Sequence, residues 1–235
     1  MKEIRVLAVI PARGGSKGIP RKNIIKLNGL ELIGYTIKAA IESDCLIDIV
    51  VSTDDSEIAN ISRDFGAQVP FIRPKNLASD DAQSAPVIEH ALHFMENMRG
   101  IKYDAVLMLQ PTSPLRTSAH IKESIDLFLS QECDSVVSIV SVGGNHPFRM
   151  KRIVGNQLVN YIDQGFWDMR PRQVLPDVYI RNGAIYLIDR DVIVNQHQLI
   201  GSKCLGYIMN DIESANIDTP VDLMLAELLI KEQRC

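Results

Sequence analysis

The residues best suited to chemistry form one short stretch, Arg13-Gly14-Gly15-Ser16-Lys17-Gly18, continued by Arg21-Lys22-Asn23. Glycine lets backbone N–H groups approach anionic oxygens closely, and Arg and Lys carry the positive charge that phosphate needs. The stretch directly follows an apolar run, residues 6–10, at the place where an α/β sheet presents ligands. A phosphate-handling loop fits these residue types; a tight solvent-exposed turn is the plain alternative. The spacing is neither G-x-G-x-x-G nor G-x-x-x-x-G-K-[ST], which excludes a dinucleotide fingerprint and a P-loop.

A second stretch, Leu109-Gln110-Pro111-Thr112-Ser113-Pro114-Leu115-Arg116, comes after another apolar run. Two prolines stiffen it, Gln110 offers both donors and acceptors, and Arg116 offers a planar fork for phosphate or carboxylate. It suits recognition of a base or sugar edge, or else a structural turn capped at Thr117 or Ser118. Asp54-Asp55 either faces a ribose or caps the next helix, and the apolar periodicity after Ser56 favours the cap. His90, His93, His120, His146 and His197 have no metal-ligand spacing, so they read as ordinary amphipathic-face or loop residues.

Strand-like and helical segments alternate around these stretches. Strands are expected at residues 6–10, 47–52, 105–109, 135–140, 184–188 and 205–208, with a short apolar run at 69–72. Helices are expected at 32–41, 57–65, 86–98, 119–130 and 219–231. This is βαβ order: an α/β fold with a mostly parallel sheet flanked by helices and ligands at the strands' carboxyl ends. Residues 142–177 change texture, with Gly, Pro, aromatic residues and the Arg149-Lys151-Arg152 cluster around a strand candidate at 158–162. They read as an excursion from a single 1–235 domain: a lid, a dimerisation arm, or an irregular surface hairpin.

Composition narrows the class. A chain of 235 residues, 46% hydrophobic, can bury a sizeable core. A net charge of −4 gives no general attraction to nucleic acid, so a small anionic ligand fits better. Phe148, Phe166 and Trp167 read as packing for the excursion or a partner surface, because no extended basic-aromatic groove accompanies them. Cys45, Cys133, Cys204 and Cys235 form no C-x-x-C pair and read as core thiols. With no long apolar segment and no signal-peptide pattern, the expectation is a cytoplasmic protein without a membrane partner.

Taken in order, residues 7–23, Val50-Val51-Ser52-Thr53-Asp54, residues 109–116, Pro171-Arg172-Gln173, Asn182-Gly183-Ala184-Ile185-Tyr186 and Ile217-Asp218-Thr219 resemble the landmarks of the acylneuraminate cytidylyltransferases. That group includes the related legionaminic and pseudaminic acid enzymes. The resemblance implies a Rossmann-like nucleotidyltransferase core with a dimerisation excursion, coupling CTP to the anomeric hydroxyl of a nine-carbon 2-keto sugar acid and releasing pyrophosphate, with Mg2+ and as a homodimer. By the same resemblance Arg13, Lys17, Arg21 and Asp218 are catalytic. Ala12, Arg13, Gly14, Ser16, Asn23, Arg73 and Ser84 meet the nucleotide, and Gln110, Arg172, Arg181 and Asn182 meet the sugar. Asp218 is the metal ligand, with Asp211 as an assistant; capping of the last helix is the other use for Asp218.

Two positions depart from the family pattern. Asn216 stands where an acidic residue is common, so it brings an amide oxygen without charge. Arg181 sits one residue later than the usual arginine, which either remodels the sugar pocket or is absorbed by a bulge. Asn216 also keeps open a different reading, a nucleotide-binding regulator that has lost turnover.

Overall fold

A computed structural model of the chain describes residues 4–232, so residues 1–3 and 233–235, Cys235 among them, lie outside it. β1 (Val6–Pro11) leads through a small hairpin, β2 (Lys26–Leu27) and β3 (Leu30–Glu31), into α1 (Leu32–Glu42), β4 (Asp48–Ser52) and α2 (Ser56–Asp64). α3 (Ser84–Arg99), β5 (Ala105–Met108), α4 (Ser118–Ser130) and β6 (Ser135–Ser141) repeat the alternation. A second hairpin, β7 (Lys151–Val154) and β8 (Gln157–Asn160), forms the excursion. β9 (Tyr179–Asp189), α5 (Arg190–Gln196), β10 (Cys204–Ile208) and α6 (Pro220–Glu232) complete the chain.

The sequence of each element explains its place. The Val-Leu-Ala-Val-Ile of β1 has no polar alternation, and all five residues are fully buried, as a strand covered on both faces requires. α2 starts where Asp55 accepts hydrogen bonds from the N–H groups of Glu57 and Ile58. α4 starts at Thr117, whose hydroxyl accepts from the N–H of His120 while the His120 ring accepts from the N–H of Thr117.

Six strands form one sheet in the order β10-β6-β9-β5-β1-β4. β9 runs antiparallel to both neighbours and the other pairings along the sheet are parallel. The carboxyl ends of β1, β4, β5, β6 and β10 therefore share one edge. β9 brings its early residues to that same edge, because Met108 at the end of β5 faces Tyr186. One face of the sheet packs Ile33, Ile37, Ile58, Ile121 and Ile125; the other packs Ile88, Leu92, Met95, Val192 and Ile193. Each such side chain contributes about 1.5–3 kcal/mol by leaving water.

Several sequence expectations change. Residues 69–72 form no strand: Gln68 makes a single bridge to Val50, and Phe71 packs on His90 and Phe94. The excursion's strand covers 157–160 rather than 158–162. Of the described cysteines, Cys45 and Cys133 are half-buried and pack against the margin of the core, whereas Cys204 is exposed. The reason for Cys204 is position: β10 is an edge strand with little packed over it. No described helix is long and apolar enough to cross a membrane.

Candidate active site

The carboxyl edge holds two adjoining cavities. The first, about 580 Å³, opens between the loop after β1, residues 73–84 and the loop after β5. Arg13, Ser16, Lys17, Asn23, Arg73, Ser84 and Asp218 line it, and so do Gln110 and Asn216. The second, about 480 Å³, is lined by Arg181, Asn182, Gly183, Tyr186 and Ser214, again with Gln110 and Asn216. Gln110 and Asn216 are thus the shared wall.

Charge in the first cavity is arranged for an anion. Four cations, Arg13, Lys17, Lys22 and Arg73, face two carboxylates, Asp80 and Asp218. Arg13 Nη1 and Lys17 Nζ each lie 2.8 Å from a different oxygen of Asp80, so one carboxylate bridges both. The bond from Lys17 and the charge of both cations hold the Asp80 carboxyl below its usual range. Arg73 is buried and donates from Nε to Ser52 Oγ at 3.0 Å. Burial lowers its pKa to about 10, opposed by Asp54, so it stays cationic at neutral pH.

The glycine loop works differently from a simple phosphate cradle. The Gly14 N–H already donates to Asp54 Oδ1 at 3.0 Å, and Ala12 is buried with its N–H donated to Ser52 O at 2.9 Å. A methyl on Gly14 would meet Asp55 Oδ2 at 2.8 Å, and one on Gly18 would meet the Asp218 carbonyl at 2.6 Å. These two glycines therefore serve close packing against the chain itself. Asn23 is buried and donates from Nδ2 to the carbonyl of Arg13 at 2.9 Å, which fixes the loop from behind.

Arg21 stands apart from the cavity that its sequence role requires. It takes a left-handed conformation (φ 57°) and its guanidinium pairs with Asp55 and Glu57. That turn directs the next side chain inward instead. Lys22 Nζ donates to Asp218 Oδ1 and to the Ile217 carbonyl, both at 3.0 Å. Neighbouring residues cannot share a face here, and the sequence motif alone did not say which of the two cations turns in.

Arg116 is also not a free fork. It is 2% exposed, and burial lowers its pKa to about 9. It donates to the carbonyls of Gln110 at 3.1 Å and Ala184 at 2.9 Å, and to Thr36 Oγ1 at 2.5 Å. Its role is to fix the Gln110 backbone between α1 and β9. A buried guanidinium among carbonyls is a costly arrangement and marks a position whose geometry matters.

The second cavity depends on an irregularity in β9. Ile139 pairs with Arg181 and Val137 with Tyr186, leaving residues 182–185 opposite Ser138 alone. Ser138 Oγ accepts from the Ile185 N–H at 2.8 Å and donates to Asn182 Oδ1 at 2.5 Å, locking the bulge. The bulge brings Arg181 to the cavity despite its one-residue offset. Arg172 lies on the excursion in a short helical turn and lines neither cavity, and neither does Asp211.

The donor set bears on where a divalent cation could sit. Among the described residues no group of three or more His, Cys, Asp or Glu gathers to hold one. Asp218 accepts from Lys22 on Oδ1 and from Asn216 Nδ2 on Oδ2 at 2.6 Å, and Asn216 Oδ1 is buried with no partner. One carboxylate and one unpartnered amide oxygen are hard donors that suit Mg2+ arriving with phosphate oxygens and water, and do not make a closed cage.

The chain matches the family described as cytidylyltransferase over residues 7–160. It is 34% identical over 228 residues to the post-translational flagellin modification protein B of Campylobacter coli, spanning 97% of this chain and 96% of that relative. It is 35% identical over 233 residues to a CMP-N,N'-diacetyllegionaminic acid synthase of Legionella pneumophila, spanning 97% of each. Among solved structures, a CMP:2-keto-3-deoxy-manno-octonic acid synthetase complexed with CTP has the same fold, with a TM-score of 0.72 at 17% identity. That match covers 97% of this chain and 99% of the other.

Proposed function

Because the chain belongs to the cytidylyltransferase family, we propose that it couples CTP to the anomeric hydroxyl of a nine-carbon 2-keto sugar acid, forming the CMP-sugar and releasing pyrophosphate. The observation that carries the reading is the pair of cavities sharing Gln110 and Asn216, one lined by four cations and one lined by neutral hydrogen-bonding groups and Arg181. The triphosphate takes the cationic cavity and the acidic sugar takes the other, with Arg181 beside its carboxylate. Transfer at the α-phosphorus then needs alignment and charge stabilisation, with no covalent enzyme nucleophile.

Arg13, Ser16, Lys17 and Lys22 hold phosphate oxygens, Asn23 orders the loop around them, and Gln110 orients the sugar at the junction. Mg2+, when bound, neutralises charge on the phosphoryl oxygens, and Asp218 with Asn216 would hold it. N-acetylneuraminic acid is the first sugar to test; legionaminic and pseudaminic acids are the alternatives within the same chemistry. The excursion exposes Ile153, Leu158, Tyr161, Phe166, Trp167 and Met169, and we assign this surface to a homodimer contact that places Arg172 against the second subunit. The reaction is placed in the cytoplasm, where nucleoside triphosphates are held.

Pyrophosphate release from CTP and Mg2+ against a panel of these acids, with product masses and with ATP, GTP and UTP as controls, tests the assignment. A CTP-dependent product from one acid supports it. Tight CTP binding without turnover on any acid replaces it with the regulator reading.

A further inference from the structure

His120 belongs to no part of the chemistry above, yet it is the buried end of a chain of polar contacts that reaches the second cavity. Its side chain sits at the start of α4, and the residue is 8% exposed. Nδ1 accepts from the Thr117 N–H at 3.1 Å, so the neutral ring carries its hydrogen on Nε2. Nε2 faces Glu213 Oε2 at 3.2 Å. Tyr207, whose hydroxyl donates to Glu123, lies with its ring centroid 6.1 Å from that of His120.

Glu213 is part of the turn after β10. The same Oε2 accepts from Asn210 Nδ2, and the Glu213 N–H donates back to Asn210 Oδ1 at 2.9 Å. Ser214 Oγ donates to the Asn210 carbonyl at 2.7 Å and accepts from Asn182 Nδ2 at 2.8 Å. Asn182 Oδ1 in turn accepts from Ser138 Oγ and from the Ala184 N–H, which sets the bulge. Ser214 and Asn182 line the second cavity and not the first.

We propose that His120 is a positioning residue for the sugar cavity: through Nε2 it holds Glu213 and the 210–214 turn, and thereby fixes Ser214 and Asn182. This rests on the reading that the second cavity takes the acidic sugar. Its signature is asymmetric, because the chain ends on residues that line only that cavity. Groups that orient a site from behind commonly alter function by about 10- to 100-fold when lost.

The test compares wild type with His120→Ala, His120→Gln, His120→Asn, Glu213→Ala and the His120→Ala/Glu213→Ala pair. Gln carries a donor that reaches toward Glu213, whereas the shorter Asn can accept from the Thr117 N–H but holds its donor too far from Glu213. Loss of His120 should lower kcat/KM for the sugar acid about tenfold or more. The KM for CTP and the CTP dissociation constant by calorimetry should stay within about twofold. Gln should restore most of the loss and Asn should not, and the double variant should match Glu213→Ala. Equal losses on both substrates, or rescue by Asn as well as by Gln, would overturn the proposal. Amide hydrogen exchange is the readout independent of turnover: His120→Ala should speed exchange across 210–214 and leave 13–23 unchanged. Unchanged exchange at 210–214 overturns the coupling, whereas faster exchange there in an enzyme inactive on every acid faults the proposed function instead.

Discussion

Gly183 is the position at which a single methyl should separate stability from function. It has φ +80°, and a Cβ there would lie 2.6 Å from Gln110 Oε1, where ordinary contact begins at 3.4 Å. A non-glycine residue in the left-handed region costs about 1–2 kcal/mol. For a domain of this size that lowers Tm by roughly 2–8 °C, at about 2–4 °C per kcal/mol. The larger effect is on the neighbour. Gln110 must retreat about 0.8 Å, and misplacement of about 1 Å can cost around 100-fold in rate. Gly183→Ala should therefore fold, melt slightly early and lose at least about tenfold in kcat/KM for both substrates, since Gln110 lines both cavities. Thermal melts and pyrophosphate-release kinetics on Gly183→Ala and on Gly144→Ala, where a Cβ meets nothing within 4 Å, check this. A folded Gly183→Ala protein with kcat/KM within twofold of wild type would refute the claim that Gln110 must stay where it is.

Asp80→Asn should bind CTP severalfold more tightly at low ionic strength, with the gain fading as salt is added, because the bridging carboxylate competes with phosphate for Arg13 and Lys17. Weaker binding by calorimetry would show that Asp80 orients those cations and does not compete. Asp218→Asn should cut turnover at saturating Mg2+ far more than CTP affinity, and undiminished turnover would remove Asp218 from the metal site. The Arg21 pair and the helix N–H groups depress the Asp55 carboxyl below its ordinary 3.8. A depressed carboxylate gives stability that is present above the unfolded value and lost as pH falls through the folded one. Arg21→Ala should thus move the acid-unfolding midpoint to higher pH; an unchanged midpoint would show that this half-buried pair contributes nothing measurable.

The fold was legible because its signals are local. Apolar runs such as Val-Leu-Ala-Val-Ile and caps such as Asp55 and Thr117 mark buried strands and helix starts in any context. Of the site, the residues that converge on the strands' carboxyl edge could be named from sequence: Arg13, Ser16, Lys17, Gln110, Asn182 and Asp218 all line one of the two cavities. What stayed hidden depends on contacts between distant segments. Which of Arg21 and Lys22 faces inward is decided by the left-handed turn at Arg21 and by Asp55 and Glu57. Asp80 reads as one more surface acid until Arg13 and Lys17 are seen on its two oxygens. Arg116 reads as a ligand fork until its three acceptors prove to be parts of α1, β9 and its own loop. A short hairpin such as β2–β3, with two residues in each strand, carries too little pattern to register at all.

The glycine loop is finished by residues about two hundred positions away. Gly18 packs against the carbonyl of Asp218, Lys22 binds the Ile217 carbonyl, and the Ile217 N–H donates to Thr112 at 2.8 Å. During synthesis the strands from β1 to β9 can pair once residue 189 has emerged, but the cationic cavity has no far wall until residue 218 has left the ribosome. A nascent chain can thus own a nearly complete sheet and still lack the wall that Ile217 and Asp218 give the cationic cavity, so the site waits on a segment made long after the glycine loop it completes.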